Sequence, residues 1–332
     1  MTGTAGTDLE TGTGGHVPVI DIGPWFTGSD AERAEVAAQV DDALSSVGFM
    51  LVTGHGVPSD VAAQVRSQAR SFFALPEEAK RAYAVTIAGR GWLPPGVEAN
   101  AFSEGTETPP DMKETFAVGA TEKTGDADVD GYWFPDNVWP QETPDLQAVI
   151  EDYLQRMRTL ADELLRICGA ALGQSDLFTA HTSHSTYTLN LNWYPPLAHV
   201  GDVAEGQFRI GPHTDFGTVT VLDREPGAGG LQVWTEQDGW QDAPWEPGAL
   251  TINTGDLLQR WSGGRWKSNR HRVLPPQEAH PDEDLVSLVY FYEADHDTHV
   301  VPLSPPVGRV AGLEPVVSGA FIKERLDAIT VG

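Results

Sequence analysis

The sequence predicts a mixed α/β fold in which a helical N-terminal region and supporting helices pack on a jelly-roll β-core. Two observations carry this. From Ser185 onward, short β-rich runs (Thr218–Leu222, Leu231–Trp234, Ala249–Ile252 and Leu285–Tyr290) are separated by turns containing Gly and Pro, the pattern of an antiparallel barrel or jelly roll. Ahead of them, Leu146, Ile150, Tyr153, Leu154, Met157, Leu160, Leu164 and Ile167 recur at spacings of three and four, as one apolar face of a long helix requires.

The elements follow in order. Met1–Gly15 is rich in Gly and Thr and acidic where a signal or transit peptide is basic and apolar, so residues 1–15 are expected to be a disordered tail. Val17–Asp21 alternates like a short strand, and Ser29-Asp30 offers an N-cap to a helix carrying Val36, Val40 and Leu44 on one face. Gly48–Thr53 reads as a second strand, and Pro58-Ser59-Asp60 opens another helix carrying Val61, Val65, Phe72 and Phe73. Residues 90–140 show no sustained periodicity and are expected to be ordered functional loops. A last amphipathic helix is expected near Gly319–Ile329. The organisation is therefore a helical and loop region over 16–140, supporting helices over 141–184, the jelly-roll core over 185–304 and a C-terminal segment with its helix over 305–332.

Composition excludes some functions. The chain has 332 residues and a formal charge of -27 from 21 Lys+Arg against 48 Asp+Glu, which repels phosphate backbones and anionic lipid surfaces, so neither nucleic acid nor membrane is an expected partner. No run approaches the roughly 18 uninterrupted apolar residues of a membrane span. The single cysteine, Cys168, falls in the apolar helical pattern and reads as a buried small hydrophobe, consistent with a reducing cytoplasm.

The chemistry-bearing pattern is His213-Thr214-Asp215 with His271 following 56 positions after Asp215. Alternation places residues i and i+2 of a strand on one face, so His213 and Asp215 can both point into a barrel mouth while His271 arrives from a later strand. Two imidazoles and one carboxylate occupy one face of an octahedron and leave positions open for a cosubstrate and O2, which suits non-haem Fe(II). A His-x-Asp is equally the pattern of ordinary hydrogen-bonded surface groups, and the residues alone leave that open.

Ordered matches along the chain narrow the choice. They are Val17-Pro-Val-Ile-Asp21, the run from Gly48 to Pro58, Arg90-Gly91-Trp92, the run from Asp111 to Phe116, the run from Pro135 to Pro140, Asn192-Trp-Tyr-Pro-Pro196, His213-Thr-Asp-Phe-Gly217, Gly229-Gly-Leu-Gln-Val233, Asn253-Thr-Gly-Asp256 and Asn269-Arg-His-Arg-Val273. In that order and spacing the chain resembles the isopenicillin N synthase-like family of Fe(II)/2-oxoglutarate oxygenases. The resemblance implies a double-stranded β-helix core, with Fe(II) held by His213, Asp215 and His271 and with Asn192 and Tyr194 lining the 2-oxoglutarate pocket. It also implies a small-molecule substrate that is hydroxylated, desaturated or cyclised with O2, in specialised metabolism of the antibiotic-biosynthesis kind. His55, in its Gly-His-Gly turn, is expected to be structural, and His181, His184, His296 and His299 receive no role. Substrate contacts are expected from Trp92, Phe102, Lys113 and Phe116, which could equally be core.

One position departs from the family. Members usually carry Arg-x-Ser on the strand after the second histidine, the Arg gripping the distal carboxylate of 2-oxoglutarate and the Ser assisting. Here the run reads Leu285-Val286-Ser287, so Ser287 is kept and the Arg is Leu285. A buried carboxylate without a partner costs on the order of several kcal/mol. Three readings remain open: another cation (Arg209, Arg260, Arg270 or Arg272) reaches the pocket; the enzyme draws its electrons from the substrate, as isopenicillin N synthase does, or from another reductant; or the segment between His271 and Ser287 aligns differently. Readings from other classes are a non-catalytic metal-binding relative and a Zn(II) hydrolase or isomerase.

Overall fold

The computed structural model describes residues 16–228 and 230–329. The expected tail over 1–15, Gly229 of the Gly-Gly motif and the last three residues lie outside them.

The strands of the two larger sheets are β1 (Val19–Asp21), β2 (Phe49–Thr53), β3 (Gly91–Leu93), β4 (Glu114–Gly119), β5 (Thr188–Tyr194), β6 (Ile210–His213), β7 (Val219–Asp223), β8 (Leu231–Thr235), β9 (Gly239–Asp242), β10 (Leu250–Thr254), β11 (His271–Val273) and β12 (Leu285–Tyr292). An eight-stranded sheet runs β1-β2-β10-β7-β12-β5-β4-β3, and a four-stranded sheet runs β6-β11-β8-β9. Within these two sheets the strands pair antiparallel except β1 with β2. This is the jelly-roll core that the β-rich runs predict.

The two faces of the large sheet differ because side chains alternate along a strand. On β12, Val286, Leu288, Tyr290 and Tyr292 are fully buried in the main apolar core. That core includes the inner faces of the helices Asp30–Ser46, Ser59–Phe73 and Leu146–Ala171. The long helix buries Leu146, Ile150, Tyr153, Leu154, Met157, Leu160, Leu164 and Ile167, the residues its periodicity singles out. Ser29 and Glu32 cap the first of these helices reciprocally. Leu285, Ser287, Val289 and Phe291 face the other way, into a cavity shared with the small sheet.

Two expectations are corrected. Residues 90–140 are not only loops: β3, β4 and the helix Ala127–Trp133 lie there, and β4 sits beside β5 in the large sheet. β4 shows no period because all six of its residues are buried, Glu114 included. Its carboxylate accepts from Lys80 (2.5 Å) and the Trp92 indole (2.7 Å), so polar residues occupy interior positions. The second correction is that Asp215 is not on a strand, since β6 ends at His213 and Asp215 lies in the following turn.

Candidate metal centre

The two histidines are neighbours across β6 and β11, where His271 pairs in register with His213 and the ring centroids stand 4.2 Å apart. Asp215 is brought to them by its turn. The first backbone N–H groups of the helix Asp256–Trp261 donate to the turn's carbonyls: Asp256 to Asp215 (2.8 Å), Leu257 to Phe216 (3.1 Å) and Leu258 to Gly217 (3.2 Å). Gly255 permits that approach, because a Cβ there would stand 2.4 Å from the Gly217 carbonyl oxygen.

Each ligand is oriented through its second polar atom. His213 Nδ1 donates to the Gly211 carbonyl (2.8 Å) and His271 Nδ1 to that of Asn269 (3.1 Å), which leaves both Nε2 lone pairs free. Both Nε2 atoms lie 3.7 Å from Asp215 Oδ1. Asp215 Oδ2 accepts from Thr220 Oγ1 and Asn253 Nδ2, each at 2.6 Å, so Oδ1 is the oxygen left to bind. One donor atom from each residue falls within 4.8 Å of the others.

Electrostatics favour the metal-ready state. Burial pushes the His271 imidazole down to about 4, keeping it neutral. Burial alone would raise Asp215, but the two imidazoles and the Asn253 and Thr220 hydrogen bonds bring it below the ordinary carboxylate value. Two imidazoles and one carboxylate, open on the cavity side, fit Fe(II). Beside them, burial and then the Asp215 charge push the Glu293 carboxyl up to about 8, and its Oε2 has no hydrogen-bond partner among the described residues. A Cβ at Gly217 would stand 1.7 Å from that carboxyl, so the glycine gives Glu293 its place.

The centre opens on a cavity of about 550 Å³. Asn192, Tyr194, Ser287 and Lys113 line it. Asn192 stands opposite Ser287, and Tyr194 opposite Leu285, on the paired strands β5 and β12. Thr115 Oγ1 donates to Asn192 Oδ1 (2.8 Å) and Lys113 Nζ donates to Thr115 Oγ1 (3.0 Å), while Lys113 is also ion-paired with Glu98. Burial pushes the Tyr194 phenol up, opposed by Asn192, Arg209 and Ser287.

Other expected residues are elsewhere. Trp92 and Phe116 are fully buried in the main core, Phe116 against Phe72 at 4.8 Å between centroids, and with Phe102 they are absent from the cavity wall. The substrate-contact expectation is corrected for these three: Trp92 and Phe116 are taken up by core packing, and Phe102 is half-buried away from the cavity wall. None of the four candidate arginines lines the cavity either. Arg209 is ion-paired with Glu283 (2.8 Å), and Arg270 with Glu104 (2.5 Å). Arg260 donates to the Glu314 carbonyl (2.8 Å), and Arg272 donates to Gln232 (2.9 Å) and stacks 4.3 Å from the Trp240 centroid. His55 is structural, accepting from the Val57 N–H and bonded to the Gly248 carbonyl (2.8 Å). The wall also holds residues to which no site role was assigned from sequence, among them Arg224, Arg90 and Glu293. Arg224 was findable, since it continues the parity of Thr220 and Leu222.

Known proteins agree with this geometry. Residues 176–294 match the 2OG-Fe(II) oxygenase superfamily, and residues 17–142 match the N-terminal region described as that of a non-haem dioxygenase in morphine synthesis. Validamycin A dioxygenase of Streptomyces hygroscopicus subsp. limoneus is 43% identical over 319 residues, 95% of this chain and 87% of that protein. Homoarginine-6-hydroxylase 2-ODD-C23 of Glycine max is 32% identical over 311 residues, 89% of this chain and 91% of that protein. Full-length Neurospora crassa T7H, solved with alpha-KG (2-oxoglutarate) and thymine, superposes with a TM-score of 0.82 at 25% identity over 98% of both chains. These relatives do not favour an oxidase without 2-oxoglutarate, a non-catalytic relative or a zinc hydrolase. The chain belongs to the 2OG-Fe(II) oxygenase superfamily and is a non-haem dioxygenase whose cofactors are Fe(II) and 2-oxoglutarate.

Proposed function

We propose that this dioxygenase oxidises a polar, hydrogen-bonding small molecule of specialised metabolism, of the aminocyclitol or amino-acid kind, by hydroxylation, desaturation or ring closure. The observation that carries the proposal is the joining of the His213–Asp215–His271 donors to a cavity whose wall includes Glu98, Asn100, Lys113, Arg90 and Asn190. A cavity of about 550 Å³ lies within the usual range for small-molecule sites, and such buried and half-buried polar groups reward a ligand that satisfies them. The names of relatives support the class: validamycin A dioxygenase, homoarginine-6-hydroxylase, and the proline hydroxylase buaE of Petromyces alliaceus, 34% identical over 276 residues. The one free thiol, on buried Cys168 and pushed up to about 12 by burial, supports a reducing cytoplasmic setting.

In this reading His213, Asp215 and His271 hold Fe(II), and Asn192, Tyr194 and Ser287 hold 2-oxoglutarate. The metal with its cosubstrate and O2 supplies the oxidising power. The chain's own work is positional. The Gly211 and Asn269 carbonyls fix the imidazoles, and Thr220 and Asn253 fix the carboxylate. The Lys113–Thr115–Asn192 relay holds Asn192 toward the cavity, leaving its amide N–H groups to donate. Glu98, ion-paired with Lys113, offers a carboxylate to a substrate amine or hydroxyl.

The test is to incubate the Fe(II)-loaded protein with 2-oxoglutarate and, separately, an aminocyclitol such as validamycin A, homoarginine and proline. Succinate is expected to form in step with substrate that has gained 16 mass units or lost 2. Succinate without any change in all three substrates would overturn the substrate class.

A further inference from the structure

Leu285 leaves the distal carboxylate of 2-oxoglutarate without the guanidinium that relatives place on β12, so the compensating charge must be sought on the wall around it. Among the described residues, three cations line the cavity: Lys113, Arg90 and Arg224. Lys113 is neutralised by Glu98. Arg90 donates to the Trp133 carbonyl (3.4 Å) and lies over Gly119, whose register partner is Thr188, at the end of β5 far from Tyr194. Arg224 stands one residue beyond β7, where the pair Leu288–Asp223 makes Ser287 its next neighbour across the sheet. We propose that Arg224 receives the distal carboxylate of 2-oxoglutarate, so that in this chain the anion receptor has moved from β12 to the end of β7.

The proposal rests on the dioxygenase reading and on what surrounds this side chain. Arg224 is held in place by neutral groups: Nη2 donates to the Ala243 carbonyl (3.2 Å) and to that of Pro244, and Nε donates to Thr251 Oγ1 (3.3 Å). Nη1 makes no hydrogen bond and no carboxylate pairs with the group among the described residues. The acids on either side of it in sequence are already matched, Asp223 with Arg66 and Glu225 with Arg70 (2.6 Å). A buried cation without an anion is costly, and burial accordingly pushes Arg224 down to about 10. An incoming carboxylate removes that cost and gains a charge-assisted bond.

Position agrees as well. Thr220 on β7, which fixes the metal ligand Asp215, and Arg224, one residue past the end of that strand, are four residues apart, a span of about 13 Å along the cavity wall. A five-carbon dicarboxylate held at the metal end would lie along that wall, which Ser287, Tyr194 and Arg224 share. Leu285 stands over Gly227, where an added Cβ would meet its Cδ1 at 2.6 Å, so it fills the place of the missing arginine with apolar surface.

The experiment is an anaerobic titration of the Fe(II)-loaded protein with 2-oxoglutarate and with 2-oxobutyrate, which lacks the distal carboxylate, following the metal-to-ligand charge-transfer absorption. The wild type is expected to bind 2-oxoglutarate more tightly. Arg224→Ala should weaken 2-oxoglutarate roughly 10- to 100-fold while leaving 2-oxobutyrate unchanged, since a hydrogen bond to a charged group is worth about 1.5–3 kcal/mol. Arg224→Ala with Leu285→Arg should recover most of the loss. Arg224→Gln, which can still donate to the Ala243 carbonyl, should show the same selective loss if the alanine variant is unstable. Unchanged 2-oxoglutarate affinity in both single variants overturns the proposal, as does equal weakening of the two oxoacids. An absence of the absorption band with either oxoacid in the wild type would instead overturn the dioxygenase reading beneath it.

Discussion

The two ends of the β7 strand impose different demands on the sequence. At its start, Thr220 serves a metal centre that needs three donor atoms on one face of an ion, and His213, Asp215 and His271 stand in the order and spacing of the family. Past its end, the cosubstrate pocket needs only a positive charge within reach of a carboxylate. There the family residue is replaced by Leu285, and Arg224 lines the same wall. Coordination geometry is intolerant of displacement, whereas a charge–charge contact can be made from any strand whose side chains face inward.

The comparison breaks most sharply at the metal end. Asp215→Ala removes the only anionic donor of the three and leaves Thr220 and Asn253 without their acceptor. Turnover should fall at least about a thousandfold, and Fe(II) bound per chain should drop in proportion. Turnover kept with full iron occupancy would mean that Asp215 is not a ligand.

Glu293 gives the next largest effect, on stability. Its folded-state value is raised from 4.5 to about 8 by burial and by Asp215. Below about pH 4.5 the group is protonated whether the chain is folded or not, and its contribution is fully present. As pH rises toward about 8 the unfolded chain releases the proton while the folded one retains it, so that contribution is lost, on the order of a few kcal/mol in all. Metal-free wild type should therefore lose melting temperature between pH 5 and 8 more steeply than Glu293→Gln. Parallel curves for the two proteins would refute the assignment.

Legibility followed the same division. The helix Leu146–Ala171 stands where its apolar period places it, and strands β7, β8, β10 and β12 stand within a few residues of the β-rich runs between Gly- and Pro-containing turns. β4 was hidden because it opens on the buried polar residues Glu114 and Thr115 within a stretch rich in Gly, Pro and Asp. Trp92 and Phe116 illustrate the ambiguity of aromatics, which serve a core and a binding wall equally well in a one-dimensional pattern. Arg224 and Glu293 needed the third dimension to show that they face the metal cavity, although strand parity with Thr220 already pointed to Arg224.

That correction has its own test, with a smaller effect. Trp92→Phe removes the indole donor to Glu114, which keeps Lys80. The variant should lose roughly 1–3 kcal/mol of stability in denaturant unfolding. The KM for substrate should not move, because Trp92 does not line the cavity. A changed KM at full folding would return Trp92 to the substrate site.

The mildest change is the most discriminating for the two ends of β7. Thr220→Val removes one of two hydrogen bonds on Asp215 Oδ2, and Asn253 keeps the other, so Fe(II) affinity should fall roughly tenfold, the low end for a residue that supports a ligand. Thr220 and Arg224 stand at and just past the two ends of β7, yet they should fail separately. Thr220→Val should raise the Fe(II) concentration needed for half-loading while leaving the ratio of 2-oxoglutarate to 2-oxobutyrate affinity intact. Arg224→Ala should alter that ratio at unchanged iron affinity. If Thr220→Val shifted both, β7 would be acting as one rigid support, and the freedom of the anion receptor to move between strands would lose its physical basis.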